Sequence, residues 1–187
     1  MRYYKLGMDT NRLNDVICHY ENDYDIQQNA FQVGKEYLNW DGRFCFIFDK
    51  SEGAELTDYL ANDKGWFVVS AKFKSLLEKM NTDIQFLQVK VIEKSNQKKY
   101  DYFIANILRM VDALSLEDSE YFETEIPKLG TIYTVSKFAI RESKVESSDV
   151  FKLTSRQEIP VFVSDNFKRI IEENEITGID LREIKVV

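Results

Sequence analysis

One histidine, His19, and two cysteines, Cys18 and Cys45, are present among 187 residues, which narrows the chemistry open to this chain. A Ser-His-Asp or Cys-His machine would have to use His19 as its base. The adjacent Cys18 suggests a metal pair or a thiolate site, yet a structural zinc takes four ligands and a catalytic zinc three. Carboxylates could complete such a set, but neither HExxH nor paired CxxC occurs. On a strand, Cys18 and His19 point to opposite faces, and Cys45 reads as a core residue among phenylalanines. The 7 glycines are scattered and form neither GxxxxGK[ST] nor GxGxxG, so the commonest phosphate cradles are missing. Carboxylate pairs such as Asp23 with Asp25, or Glu117, Asp118 and Glu120, can do acid–base work only where burial or a neighbour shifts a pKa. Solvated charge is the expectation for them, and no catalytic residue, metal or cofactor is predicted. Trp40 and Trp66 are expected in the core, with interface anchoring as their other use.

Whatever site exists must be positioned by a unit that occurs twice, at 66–91 and 160–186. Val69, Ser70, Phe73, Lys74 and Glu78 align with Val163, Ser164, Phe167, Lys168 and Glu172, and after one inserted residue Ile84, Phe86, Val89 and Lys90 align with Ile179, Leu181, Ile184 and Lys185. Phe73, Leu76, Leu77 and Met80 fall at i, i+3, i+4 and i+7, as do Phe167, Ile170, Ile171 and Asn174, which lays a stripe along a short helix. Ser70 and Ser164 stand where a hydroxyl accepts an orphaned N–H, and Gly178 where a turn needs positive φ. Each copy therefore reads as strand, capped helix, strand. Ile84 and Phe86 differ in parity from Val89 and Val91, and the second copy repeats the slip, which predicts a bulge or bend near Gln88 and Glu183.

Along the rest of the chain, RYYKL opens as a strand, and 15–25 reads as a strand followed by an exposed turn. The unbroken run from Phe44 to Phe48 predicts a strand covered on both faces, at the centre of a sheet. Helical turns are expected over 55–62, a strand over 100–110, helix over 112–122, and strands over 131–140 and 150–153. The expected fold is α+β: a mixed or mainly antiparallel sheet built from two related strand–helix–strand repeats, with a β-rich N-terminal part. No linker composition interrupts it, so 1–187 is read as a single domain.

The net charge is −7, and residues 112–126 hold six acids and no base. Such a balance argues against nucleic acid or anionic lipid as the ligand and permits a basic protein partner. No apolar run approaches the roughly 18 residues of a membrane span, the N-terminus has no signal-like apolar stretch, and two cysteines suit a reducing compartment, so a cytoplasmic location is expected. Oligomeric state is not readable.

The second repeat also carries a resemblance. Phe151-Lys152-Leu153, Pro160-Val161-Phe162-Val163-Ser164, Phe167-Lys168 and Thr177-Gly178-Ile179 resemble the C-terminal signature of the eleventh family of immunity proteins of bacterial polymorphic toxin systems. Gly65 to Ser70, Tyr102 to Ile107 and Val111 to Leu116 resemble its middle, so the likeness covers residues 60–187. The resemblance implies a non-enzymatic antidote with an α+β fold that binds and neutralises a cognate secreted toxin domain, and it supplies no catalytic residues. A basic nuclease is the toxin class that an acidic surface would attract. Two acid-rich segments then become the candidate interface, because aromatics supply buried area and carboxylates speed encounter. In the first, Glu21, Asp23 and Asp25 flank Tyr20 and Tyr24; in the second, Glu117, Asp118, Glu120 and Glu123 surround Tyr121 and Phe122. The competing reading is a small-ligand protein or enzyme with an unrecognised carboxylate site, which would show as a pocket of convergent, perturbed acids.

Overall fold

The computed structural model describes residues 1–20, 26–127, 130–154 and 160–187. In chain order these form β1 (Tyr3–Met8), β2 (Ile17–Cys18), β3 (Cys45–Phe48), β4 (Tyr59–Asn62), β5 (Val68–Ser70), α1 (Ala71–Leu77), β6 (Ile84–Glu93), β7 (Lys99–Ile107) and β8 (Met110–Val111). There follow β9 (Glu120–Ile126), β10 (Gly130–Lys137), β11 (Ala139–Ile140), a 3-10 turn at Glu142–Lys144, β12 (Val150–Leu153), β13 (Val161–Ser164), α2 (Asp165–Glu173), β14 (Ile179–Glu183) and β15 (Lys185–Val186). The fold is mixed α+β with mostly antiparallel pairing and two helices flanked by strands.

Six strands lie in the order β2-β4-β5-β7-β6-β3, and the two ends meet. His19 and Ile47 exchange N–H···O bonds of 2.8 and 2.9 Å, which closes the sheet into a ring. Phe44, Phe46, Phe48, Trp66, Val68, Val89 and Ile104 fill its interior. Ring closure corrects the expected place of the phenylalanine run: β3 ends the sheet rather than occupying its centre. Phe44, Phe46 and Phe48 are buried while Cys45 and Ile47 alternate to the half-buried outer face, so Cys45 is not one of the fully buried residues. An end strand acquires a covered face here because the ring has an inside.

Five further strands follow the order β14-β1-β13-β12-β8. One face of this sheet, both helices and the outer face of β5 and β7 share a core that includes Tyr4, Leu6, Val69, Ala105, Val163 and Ile171. At its centre the rings of Phe73 and Phe167 lie 6.0 Å apart at 56°. The opposite face buries Tyr3, Phe151 and Phe162 against Phe138, Ile140 and Val145, beside the short parallel pair of β11 with β15.

The two helix-bearing segments are paired alike. In the first, Ser70 faces Tyr102 and Ile84 faces Ile107; in the second, Ser164 faces Tyr3 and Ile179 faces Met8. β1, from the chain start, thus occupies the place that β7 holds in the ring. Each capping serine accepts a helix N–H at 3.1 Å, from Phe73 or Phe167, while donating its own proton to an aspartate. Ser70 donates to Asp58 at 2.5 Å and Ser164 to Asp149 at 2.6 Å. Each aspartate also accepts from the turn that follows the other helix: Thr177 N–H reaches Asp58 at 3.2 Å and Asn81 N–H reaches Asp149 at 2.9 Å. Gly178 sits in that first turn at φ 81°, where a Cβ would stand 2.2 Å from the Tyr59 carbonyl oxygen. Any side chain there would clash with backbone as well as strain its own.

Three further expectations are overturned. The segment 55–62 ends in a strand, β4, whose four residues are all buried because ring and shared core cover its two faces. The segment 112–122 is extended rather than helical: Leu114 bridges to Ile140, and Tyr121 and Phe122 lie in β9. No bulge occurs at Gln88, since β6 and β7 pair in unbroken register from Ile84 to Ile92. Ile84 and Phe86 face the shared core, whereas Leu87, Val89 and Val91 face the ring interior. The parity change marks a strand passing from one core to another. β14 likewise pairs regularly to Glu183, after which Ile184 and Val186 turn to the far core.

Phe73 and Phe167 are both fully buried. Alanine at either should cost about 3 to 5 kcal/mol through lost burial and a cavity. Urea melts showing a loss below about 1 kcal/mol would contradict that packing. Ser164→Ala should cost about 1 to 2 kcal/mol, since it removes a cap and one donor to a buried aspartate together. A smaller loss at Ser164 than at an exposed serine such as Ser75, measured in the same melts, would reject the paired role.

Candidate protein-interaction surface

The second acid-rich segment is anchored before it leaves the body. Ala113 and Leu114 are buried in the far core, and Ser115 N–H bonds the Ala139 carbonyl at 2.9 Å. A turn follows, closed by Ser119 N–H to Leu116 O at 3.2 Å, and the Ser119 hydroxyl accepts from Ala139 N–H at 2.9 Å. From there β9 and β10 run as a two-stranded ribbon, with a register irregularity between Val135 and Lys137. Thr131 to Val135 are Thr, Ile, Tyr, Thr and Val, which suit a pleated strand. Six of the seven β9 residues are exposed, so the ribbon meets solvent on both faces.

Strand alternation divides its side chains in a way that a helix would not. Phe122, opposite Thr134, shares a face with Thr124, Ile126 and Ile132; Tyr121, Glu123 and Glu125 share the other with Tyr133 and Val135. Phe122 is 70% exposed. The Tyr121 and Tyr133 rings meet edge to face at 5.3 Å, and Val135 reaches back to the far core.

The expected site residues are placed unevenly. Glu117 is exposed in the turn. Asp118 accepts from Lys185 Nζ at 2.7 Å and Ser115 Oγ at 2.9 Å, and these bonds, the lysine's first, hold its carboxyl below the ordinary range. Glu120 pairs with Lys137 at 2.9 Å. Glu123 and Glu125 form no ion pair among the described residues. Tyr121 and Phe122 do not make one cluster, because they point to opposite faces. In the first segment Tyr20 stacks on Phe44 with centroids 5.0 Å apart, and Lys64 Nζ lies 4.0 Å above its ring. Glu21, Asp23, Tyr24 and Asp25 lie outside the described residues. Asp15, at the start of that segment, is buried; desolvation raises its carboxyl pKa, and Arg12 at 3.5 Å opposes the shift. The two segments attach to different layers, Tyr20 to the ring and the ribbon to the far core. Ile126, Ile132 and Tyr133 were not joined to the second acidic segment, which ended at Glu125 in the sequence reading, although the alternation of a strand over 120–137 would have grouped them.

The remaining chemistry is structural. His19 faces outward beside Glu52 at 3.1 Å and Asp63 at 3.7 Å, while Cys18 is fully buried with its thiol pKa raised by desolvation. Neither cysteine forms a disulfide, and no metal-sized cluster of His, Cys, Asp or Glu exists among the described residues. A cleft of about 330 Å³ at the ribbon's root is lined by Lys5, Asp118, Glu120, Lys137, Arg182 and Lys185. Two of its carboxylates are already tied to two of its lysines, and Asp118 is held ionised, which suits a strut rather than a proton donor. Trp66 is buried in the ring, and half-buried Trp40 donates its indole N–H to Gln88 O at 2.8 Å, so both serve packing.

No helix among the described residues is long and apolar enough to cross a membrane. No curated protein matches the sequence. The model of the immunity protein family Imm11 does match, over residues 2–186, and so takes in the N-terminal strands that complete both sheets as well as the ribbon; the chain belongs to the Imm11 immunity protein family.

Proposed function

We propose that this protein neutralises a cognate toxin domain by occluding it, using carboxylates and aromatic side chains and no catalytic step. The observation that carries the reading is the β9–β10 ribbon, where Glu123 and Glu125 form no ion pair among the described residues and share a face with the Tyr121–Tyr133 ring contact, while Phe122 is exposed on the other face. Free carboxylates accelerate encounter with a basic surface and repel wrong partners, while aromatics supply the area that is dehydrated on contact. The toxin favoured by this chemistry is basic, a nuclease being the fitting class, and the setting is the cytoplasm in which such a toxin would act. Nucleic acid itself is a poor ligand for a ribbon that presents the two unpaired carboxylates of Glu123 and Glu125.

The scaffold reading that goes with this is one domain made of two related halves. It is supported by the common pairing of β4-β5-β7-β6 and β12-β13-β1-β14, and by the reciprocal aspartate contacts between each helix cap and the other half's turn. Such an arrangement resembles a dimer fused into one chain, in which β1 supplies to the second half what β7 supplies to the first.

The test is to purify the toxin domain encoded beside this gene in an inactivated form and to titrate it with wild type and with charge reversals. Wild type should bind, and Glu117→Lys with Glu123→Lys and Glu125→Lys should weaken binding at least about tenfold, mainly through a slower, less salt-dependent association. Reversal of Glu21, Asp23 and Asp25 examines the other segment in the same assay. No binding by wild type would sink the toxin-neutralising reading, and tight binding indifferent to both sets would remove the acidic interface from it.

A further inference from the structure

We infer that the β9–β10 ribbon works as a two-faced finger, gripped in a cleft of the toxin that has one apolar wall and one basic wall. The inference rests on the toxin-neutralising reading and adds to it the shape and chemistry of the partner's site. An isolated two-stranded ribbon is marginal in water, because each strand has one neighbour and no covering layer. This one has seven and eight residues in its strands, and no third strand pairs with it among the described residues. Its root is secured by Val135 in the far core and by the Glu120–Lys137 and Asp118–Lys185 pairs, so the outer part is held out rather than folded back.

The faces differ in kind. One carries Phe122 with Ile126 and Ile132, and its aromatic ring is 70% exposed. The other carries Glu123 and Glu125, neither of which forms an ion pair among the described residues. A flat partner could cover one face alone and would leave the other without a use. A concave partner covers both, burying Phe122 on an apolar wall and meeting the two carboxylates with Lys or Arg on the opposite wall. Charge separates this occupant from a second copy of the chain. The lysine on the ribbon's own β10 strand, Lys137, is tied to Glu120, so among the described residues a second copy's ribbon would bring more carboxylates to the acidic face and no untied cation. Burial of an exposed aromatic at the centre of a desolvated contact is also where binding energy concentrates.

The experiment treats the two faces separately, with the inactivated neighbouring toxin domain as the probe. Phe122→Ser should weaken binding at least about tenfold with the salt dependence unchanged, and Phe122→Leu should recover part of that loss. Glu123→Lys with Glu125→Lys should weaken it comparably while flattening the salt dependence. Amide exchange across β9 and β10 in each free variant should match wild type, which separates a lost contact from a melted ribbon. Binding that depends on one face only, or on neither, overturns the finger while leaving neutralisation standing. A wild type that does not bind removes both. A dimer of the protein alone that Phe122→Ser dissociates would also overturn the inference, by assigning the apolar face to a second copy.

Discussion

The architecture depends on two aspartates placed between a strand and a helix cap. Asp58 and Asp149 each receive a proton from the serine that caps the following helix, and each also holds the backbone turn beyond the opposite helix. One carboxylate therefore fixes where its own helix begins and where the other half's helix has ended. The serine hydroxyl is used in both directions, accepting from the helix N–H and donating to the carboxylate, so its geometry is determined rather than merely satisfied. With both helices pinned in this way, Phe73 and Phe167 are brought ring against ring between the two sheets. The shared core follows from that contact.

Closure of the first sheet by the His19–Ile47 pair has a second consequence. It gives the strands of the ring an inner face, and β4, β5 and β7 carry the helix layer on their outer face as well. In those three strands residues of both parities are buried, and local alternation stops reporting which face meets water. His19, which a Ser-His-Asp or Cys-His machine would have needed, contributes to this closure through its backbone, with its ring outward beside two carboxylates.

What was legible in the sequence was local. The Phe73 and Phe167 stripes, the Ser70 and Ser164 caps and the positive φ of Gly178 all follow from residue type and neighbours within a few positions, and the structure has them. The aspartates were not legible, because Asp58 precedes its serine by a different spacing than Asp149 does and the contact is made through space. The place of β1 beside β13 was hidden for the same reason, since its counterpart β7 follows its helix in sequence rather than leading it. Apparent slips at Gln88 and Glu183 were real in the pattern and wrong in their cause: a strand that serves two cores changes parity without any bulge. In the segment 112–122, Leu114, Leu116 and four carboxylates read as helix. Tertiary pairing of Leu114 with Ile140 and of Glu120 to Ile126 with β10 decided otherwise.

The ribbon and the core answer to different constraints, and that separation is itself informative about function. Side chains in the shared core touch both sheets, so a change at one of them disturbs packing on several elements at once. Along the outer ribbon, Phe122, Glu123, Thr124 and Glu125 are exposed, and substitutions at such positions are expected to leave caps, ring and shared core intact. A protein that must match one partner and reject others needs positions that can be altered without refolding the rest. The outer ribbon residues that we propose as the interface are of this kind, exposed while Val135, Glu120 and Asp118 hold the root to the body.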